Sequence, residues 1–343
     1  MGKAEAQATE LGKLLRTPFA GEQQALRGPL RQTGDLRTAL RTLYLQNPFF
    51  QLSEVEAEAL CADLGTEPLA GLIAARHRAM ADPAPRLVVF CMPKSGSSFV
   101  KSALARALEL PVVSLTSFGN TELSSMFGMN GREQELDELA VVKSALAAPQ
   151  GFVAQHHTRC TPYLALQLSA FGLRPLVTLR NIPDALVSFD DMMMASRAFG
   201  DPQAWTFDSP FALPPGYAAL EPAARYRVIG ASLGVWLIQF HLSWLRCARL
   251  GLVSPVVIRY EEDVLDPSRL TSRLSEAFGL DEAQTARLTD FAKRPDRARS
   301  RFNVGRAGRG REFIPLDVRD HLLAYARAFE DEIPAEDIAY LLD

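Results

Sequence analysis

The residues best equipped for chemistry lie in one short stretch, Met92-Pro-Lys-Ser-Gly-Ser-Ser-Phe99. Small residues let backbone N–H groups approach an anion closely, and a helix starting just afterwards adds the positive end of its dipole. Lys94 brings a full positive charge, and the hydroxyls of Ser95, Ser97 and Ser98 bring further donors. The pattern is that of a phosphate cradle. It is not the nucleotide loop GxxxxGK[ST], where lysine follows the second glycine, because Lys94 precedes the lone Gly96. An ordinary strand-to-helix turn is the plainer alternative.

Two further segments can meet an anion. In Arg180-Asn-Ile-Pro-Asp184-Ala-Leu-Val-Ser188, a guanidinium fork and a hydroxyl flank an expected helix start. In Asn303-Val-Gly305-Arg306-Ala-Gly308-Arg309-Gly-Arg311, glycines permit close backbone approach and three arginines can neutralise phosphate. Two histidines, His156 and His157, end the run GFVAQHH. Imidazole titrates near neutrality, so either can take a proton from an attacking hydroxyl or amine. His77, His241 and His321 fall in helical contexts and are read as structural or exposed.

The order Pro-Lys-Ser-Gly-Ser-Ser-Phe resembles the 5′-phosphosulfate loop, PKSGTTW, of sulfotransferases that use 3′-phosphoadenosine-5′-phosphosulfate (PAPS). The resemblance implies that Lys94, Ser95, Gly96, Ser97 and Ser98 hold the phosphosulfate, with Lys94 assisting the leaving group. It also implies that Phe99 takes the place of a tryptophan stacked on adenine. Arg180 to Ser188 is similar to the family's 3′-phosphate element, RNPKDVAVS. Tyr260-Glu-Glu-Asp-Val-Leu-Asp-Pro267 is similar to its YEDL…DP segment with one extra acidic residue, and Tyr260 either contacts adenine or packs at a strand end. Gly305, Arg306, Gly308 and Arg309 resemble the glycine-rich cofactor lid, RKGxxGDWK. Asn303 and Val304 stand where that lid has Arg-Lys, so Arg301 or Arg309 would supply the 3′-phosphate charge. By its spacing to Arg180, His157 matches the family's catalytic histidine best, with His156 the runner-up. The resemblance spans residues 86 to 313 and implies in-line transfer of a sulfuryl group from PAPS to an acceptor hydroxyl or amine, with no metal.

These residues need a scaffold that brings strand ends together. Apolar, β-branched runs at 87–92, 151–157, 175–180 and 256–260 alternate with helical patterns, which predicts a central parallel sheet flanked by helices. The resemblance implies the P-loop-NTPase-like sulfotransferase version of that α/β class. Asn181 is an expected N-cap, with Pro183 in the first turn and Asp184 at the positive helix end. Residues 1–85 read as a helical N-terminal extension ending in the linker ADPAP, and 86–343 as the catalytic domain. The extension caps the sheet, binds a partner or mediates a homodimer.

Composition excludes some classes. A net charge of −3 argues against a nucleic-acid coat. The four cysteines, Cys61, Cys91, Cys160 and Cys247, form no CxxC pair, which fits neither a zinc site nor a disulfide framework. Cys91 and Cys247 are read as buried thiols. The uncharged run 228–245 is long enough to span a membrane, yet its polar interruptions favour a core helix over a transmembrane segment. The amino terminus lacks a signal-peptide core, so a cytoplasmic enzyme is expected. The Met- and aromatic-rich stretch 190–222 suits a small-molecule, glycan or lipid acceptor, with Met192 to Met194 either lining it or packing a helix. Asp190 and Asp191 are candidates to meet a cationic acceptor or a sugar. A nucleotide-dependent phosphotransferase and a binding protein without catalysis are the rival readings.

Overall fold

The computed structural model describes residues 75–116, 135–196, 213–214, 216–293 and 307–343. The chain divides into two compact units, Met1–Asp82 and Pro83–Asp343. Of the first, residues 75–81 are described and helical. The second unit carries the motifs singled out above.

Its strands form where β-branched residues can be covered on both sides. They are β1 (Arg86–Cys91), β2 (Phe152–His156), β3 (Leu173–Leu179) and β4 (Val256–Arg259). All six positions of β1 are buried, as a central strand requires. It begins on Arg86, whose fully buried guanidinium donates to the Phe171 carbonyl at 2.9 Å. The pairings are all parallel and the order is β2-β1-β3-β4. Beyond β2, Val112 adds a parallel bridge to Val153.

That order decides where a ligand can sit. The chain leaves β1 towards β2 on one side and leaves β3 towards β4 on the other. The connections therefore diverge between the carboxyl ends of β1 and β3, which opens a crevice there. The loop 92–96 and Arg180 both start at that crevice.

Helices α1 (Ser97–Leu108), α2 (Glu138–Ala147), α3 (Pro162–Ala170) and α4 (Ile182–Ser196) connect or follow the first three strands. Helices α5 (Pro222–Ile229) and α6 (Val235–Arg249) precede β4. Then come α7 (Pro267–Phe278), α8 (Glu282–Lys293), α9 (Arg309–Phe313), α10 (Leu316–Arg327) and α11 (Ala335–Leu342). On one sheet face Leu87, Val89 and Cys91 meet Phe99, Val100 and Leu104 of α1, Leu270 and Leu274 of α7, and Leu288 of α8. On the other face Phe90 packs on Trp244 of α6, ring centroids 4.8 Å apart. The apolar run lies within a helical stretch from Pro222 to Arg249, long and apolar enough to cross a membrane by composition. Of its apolar window, 61% is buried inside the protein.

Candidate active site

The loop after β1 is held from below. Met92 N–H donates to the Thr178 carbonyl at 3.1 Å, and Ser95 Oγ lies 2.6 Å from both Met92 O and Thr178 Oγ1. Ser95 is fully buried, so its hydroxyl pins the loop to β3 instead of facing an anion, contrary to expectation. Lys94 and Gly96 both adopt left-handed backbone angles, φ 70° and 76°. Gly96 also sits where a Cβ would lie 3.0 Å from the Tyr260 ring and from Val264. Only glycine meets both demands.

Gly96 is the N-cap of α1 and supplies no side-chain cap, while the first turn contains no acidic residue. The amides of this turn are thus suited to an external anion. Lys94 stands beside them, its Nζ 3.7 Å from Met192 Sδ. Ser97 is buried, and its Oγ accepts from Gln155 Nε2 at 2.9 Å. Ser98 is partly exposed, with Oγ 3.5 Å from Gln155 Oε1. Of the five expected cradle residues, Lys94, Gly96 and Ser98 retain exposure at the loop.

Arg180 joins the cradle from β3. Its Nη1 donates to the Lys94 carbonyl at 2.8 Å, and its guanidinium carbon lies 4.3 Å from the centroid of the Tyr260 ring. Its Nε is buried without a hydrogen-bond partner among the described residues, 3.8 Å from Glu261 Oε1. A desolvated guanidinium N–H without an acceptor is the kind of donor an anionic ligand satisfies. Tyr260 is itself buried, and it works as the platform under Arg180 and Gly96. This contact is the packing role expected of Tyr260. This segment forms a wide turn over Tyr260–Val264, closed by Leu265 N–H on Tyr260 O at 3.1 Å.

Glu261 was missed as a site residue. Its carboxylate accepts from Asn181 N–H at 3.2 Å and from Tyr340 Oη at 2.5 Å. Burial raises its pKa above the usual carboxylate range, against the lowering effect of these bonds and of Arg180. Asn181 caps α4 as expected, its Oδ1 accepting from Asp184 N–H at 3.1 Å. Ser188 is buried two turns into that helix.

Strand alternation separates the two histidines. His156 pairs with Phe90 across β2 and β1 and shares its face, 2% exposed, with ring centroids 6.5 Å apart. It belongs to the aromatic core and leaves the crevice to its neighbour. His157 turns the other way, with Nδ1 2.9 Å from Cys91 O and 3.2 Å from Cys91 Sγ. Gln155, also missed, reaches Cys91 Sγ at 3.6 Å and thereby links the start of α1 to this pair. An uncharged polar residue inside an apolar strand was the available signal. Burial alone would lower the His157 pKa, but the Cys91 thiol beside it raises it overall, with Lys94 opposing. Burial alone would raise the Cys91 pKa, but His157, Ser97 and Gln155 bring it below the ordinary thiol value.

Other expectations are corrected by what the side chains touch. Phe99 is buried in the core, stacked on Phe291 with centroids 5.5 Å apart, so it is not presented to an adenine. Asp190 accepts from Tyr217 Oη at 2.7 Å and from both ends of the Arg225 guanidinium, so an internal cation has already claimed it. Asp191 accepts from Arg309 Nη1 at 2.7 Å, which ties up both the carboxylate and the expected phosphate ligand. Gly308 and Gly310 donate their N–H groups to the Asp184 carboxylate at 2.7 and 2.6 Å. A Cβ at Gly310 would lie 2.3 Å from Pro183 Cβ. Arg301, Gly305 and Arg306 lie outside the described residues, as do residues 197–212 of the Met- and aromatic-rich stretch 190–222.

Among the described residues no group of three or more His, Cys, Asp or Glu side chains is arranged to hold a metal. Compared with known proteins, the chain matches no family model and no curated sequence. The geometry at the crevice therefore carries the functional reading.

Proposed function

We propose that the chain is a PAPS-dependent sulfotransferase with the P-loop-like fold of that family. The observation that carries this reading is the convergence of three sequence-distant motifs at one crevice. Arg180 binds the Lys94 carbonyl and stacks on Tyr260, whose ring lies against Gly96. The residues present suit a doubly anionic ligand: an uncapped helix start, the Lys94 ammonium, and a buried Arg180 Nε–H without an acceptor.

In this reading Lys94, Gly96, Ser98 and the first amides of α1 hold the 5′ end of PAPS, and Arg180 holds the 3′-phosphate. When bound, PAPS supplies the sulfuryl group and a phosphate leaving group. Lys94 neutralises charge that develops on the departing oxygen. His157 takes the proton of the acceptor hydroxyl or amine as that atom attacks. The Nδ1 contact with Cys91 O makes Nε2 the basic nitrogen of the neutral ring. Because Phe99 is occupied by Phe291, the adenine must be gripped by other residues.

The test is thermal unfolding with 3′-phosphoadenosine-5′-phosphate, ADP, AMP and ATP-Mg²⁺ in parallel. A ligand at a hundred times its Kd adds about 2.7 kcal/mol of stability. The expected result is a rise in Tm with the 3′-phosphorylated nucleotide and little with the others. A rise confined to ATP-Mg²⁺ overturns the proposal in favour of phosphoryl transfer.

A further inference from the structure

One residue, Cys91, stands between the anion loop and His157 in the polar contacts described above. Cys91, the last residue of β1, is fully buried, so it is not an accessible nucleophile. Its carbonyl and its Sγ both lie on Nδ1 of His157, at 2.9 and 3.2 Å. Gln155 Nε2 donates to Ser97 Oγ at 2.9 Å and reaches Cys91 Sγ at 3.6 Å. A polar chain thus runs from the first turn of α1 through Gln155 and Cys91 to His157. No apolar side chain at position 91 could take part in it.

We propose that Cys91 is the positioning residue of His157, turning Nε2 towards the acceptor and setting the pH at which the ring can act as a base. The inference rests on the sulfotransferase reading for its catalytic meaning, while the Cys91–His157 pair stands on geometry alone. Of the charged or titratable groups facing the ring, Cys91 favours the protonated imidazole and Lys94 disfavours it. The thiol has the opposite bias and is drawn towards thiolate by His157. A thiolate beside the ring makes it hold its proton more tightly, so the base form appears only at higher pH. Removing the thiol reverses this.

Two measurements on the full chain test the proposal. In the first, thiolate absorbance near 240 nm is titrated as the difference between wild type and C91S, and again in an H157Q background. Histidine Cε1–Hε1 NMR titrations of wild type and C91S give the same information without altering His157. The expected result is a Cys91 thiolate well below the ordinary thiol pKa of about 8.5. It should be lost in H157Q, and the His157 titration should move to lower pH in C91S. A Cys91 titration at the ordinary thiol value, or a His157 titration equal in both proteins, overturns the proposal. In the second measurement, the acid limb of sulfuryl transfer should move to lower pH by about the same amount in C91S and C91A, and not in C247S. An unmoved limb overturns the positioning role. A paired titration in a chain that transfers no sulfuryl group overturns the sulfotransferase reading and leaves the Cys91–His157 pair intact.

Discussion

Lys94 holds a backbone conformation that most residues avoid, with φ at 70°. Such a conformation costs a residue with a Cβ about 1–2 kcal/mol, so the surroundings must enforce it. They do: Ser95 is pinned to Thr178 on one side, and the Lys94 carbonyl is bound by Arg180. The Lys94 ammonium meets Met192 Sδ of α4 at 3.7 Å. Lys94→Ala removes the charge and leaves these tethers, so transfer should fall by about 10²- to 10³-fold while the protein stays folded. His157→Ala should lower turnover by about 10²- to 10⁴-fold. Single-turnover assays across pH check both, and unchanged rates in either variant would remove that residue from the mechanism.

At the scale of elements, α4 organises the site more than its sequence suggests. Its cap, Asn181, is gripped by Glu261 from the end of β4. Its first turn offers Asp184, a buried carboxylate bound by two backbone amides at the start of α9. Further along, Asp191 holds Arg309. The helix therefore clamps the end of the glycine-rich segment by its backbone, and Gly310 is needed because Pro183 leaves no room for a Cβ. Asp184→Ala should cost about 1–3 kcal/mol by leaving two amides near Asp184 without an acceptor. It should also weaken binding of 3′-phosphoadenosine-5′-phosphate. Urea unfolding together with nucleotide titration checks both effects, and a stable variant with unaltered binding would make the clamp dispensable.

Within the second unit, α11 ties α6 to the end of β4. Asp337 of α11 accepts from His241 of α6 at 2.8 Å and from Arg259 at the end of β4 at 2.6 Å. Burial opposes its charge, but the bonds from His241 and Arg259 keep its pKa below the ordinary aspartate value. A carboxylate depressed in the folded state stabilises the protein above its unfolded pKa, and that stability is lost as pH falls through the folded pKa. Asp337→Asn should therefore lower Tm at neutral pH, with the gap to wild type narrowing below about pH 4. A gap that stays constant into acid would show that the charge contributes nothing.

Local order decided much of this protein in advance. Apolar β-branched runs specify four strands, and alternation with helices makes them parallel. Asn181, Pro183 and Asp184 announce a helix start because capping chemistry acts over three or four residues. The anion loop is legible for the same reason, since glycine, lysine and serine must be adjacent to build it. Contacts across the sheet were not legible. Phe99 reads as a free aromatic until α8 brings Phe291 over it, and Asp190 and Asp191 read as acceptor ligands until Arg225 and Arg309 arrive from elsewhere in the chain. Only the family resemblance, through the spacing to Arg180, ranked His157 above His156. Strand pleating sends neighbouring side chains to opposite faces, so only the register of β2 on β1 put His156 in the core beside Phe90 and His157 against Cys91.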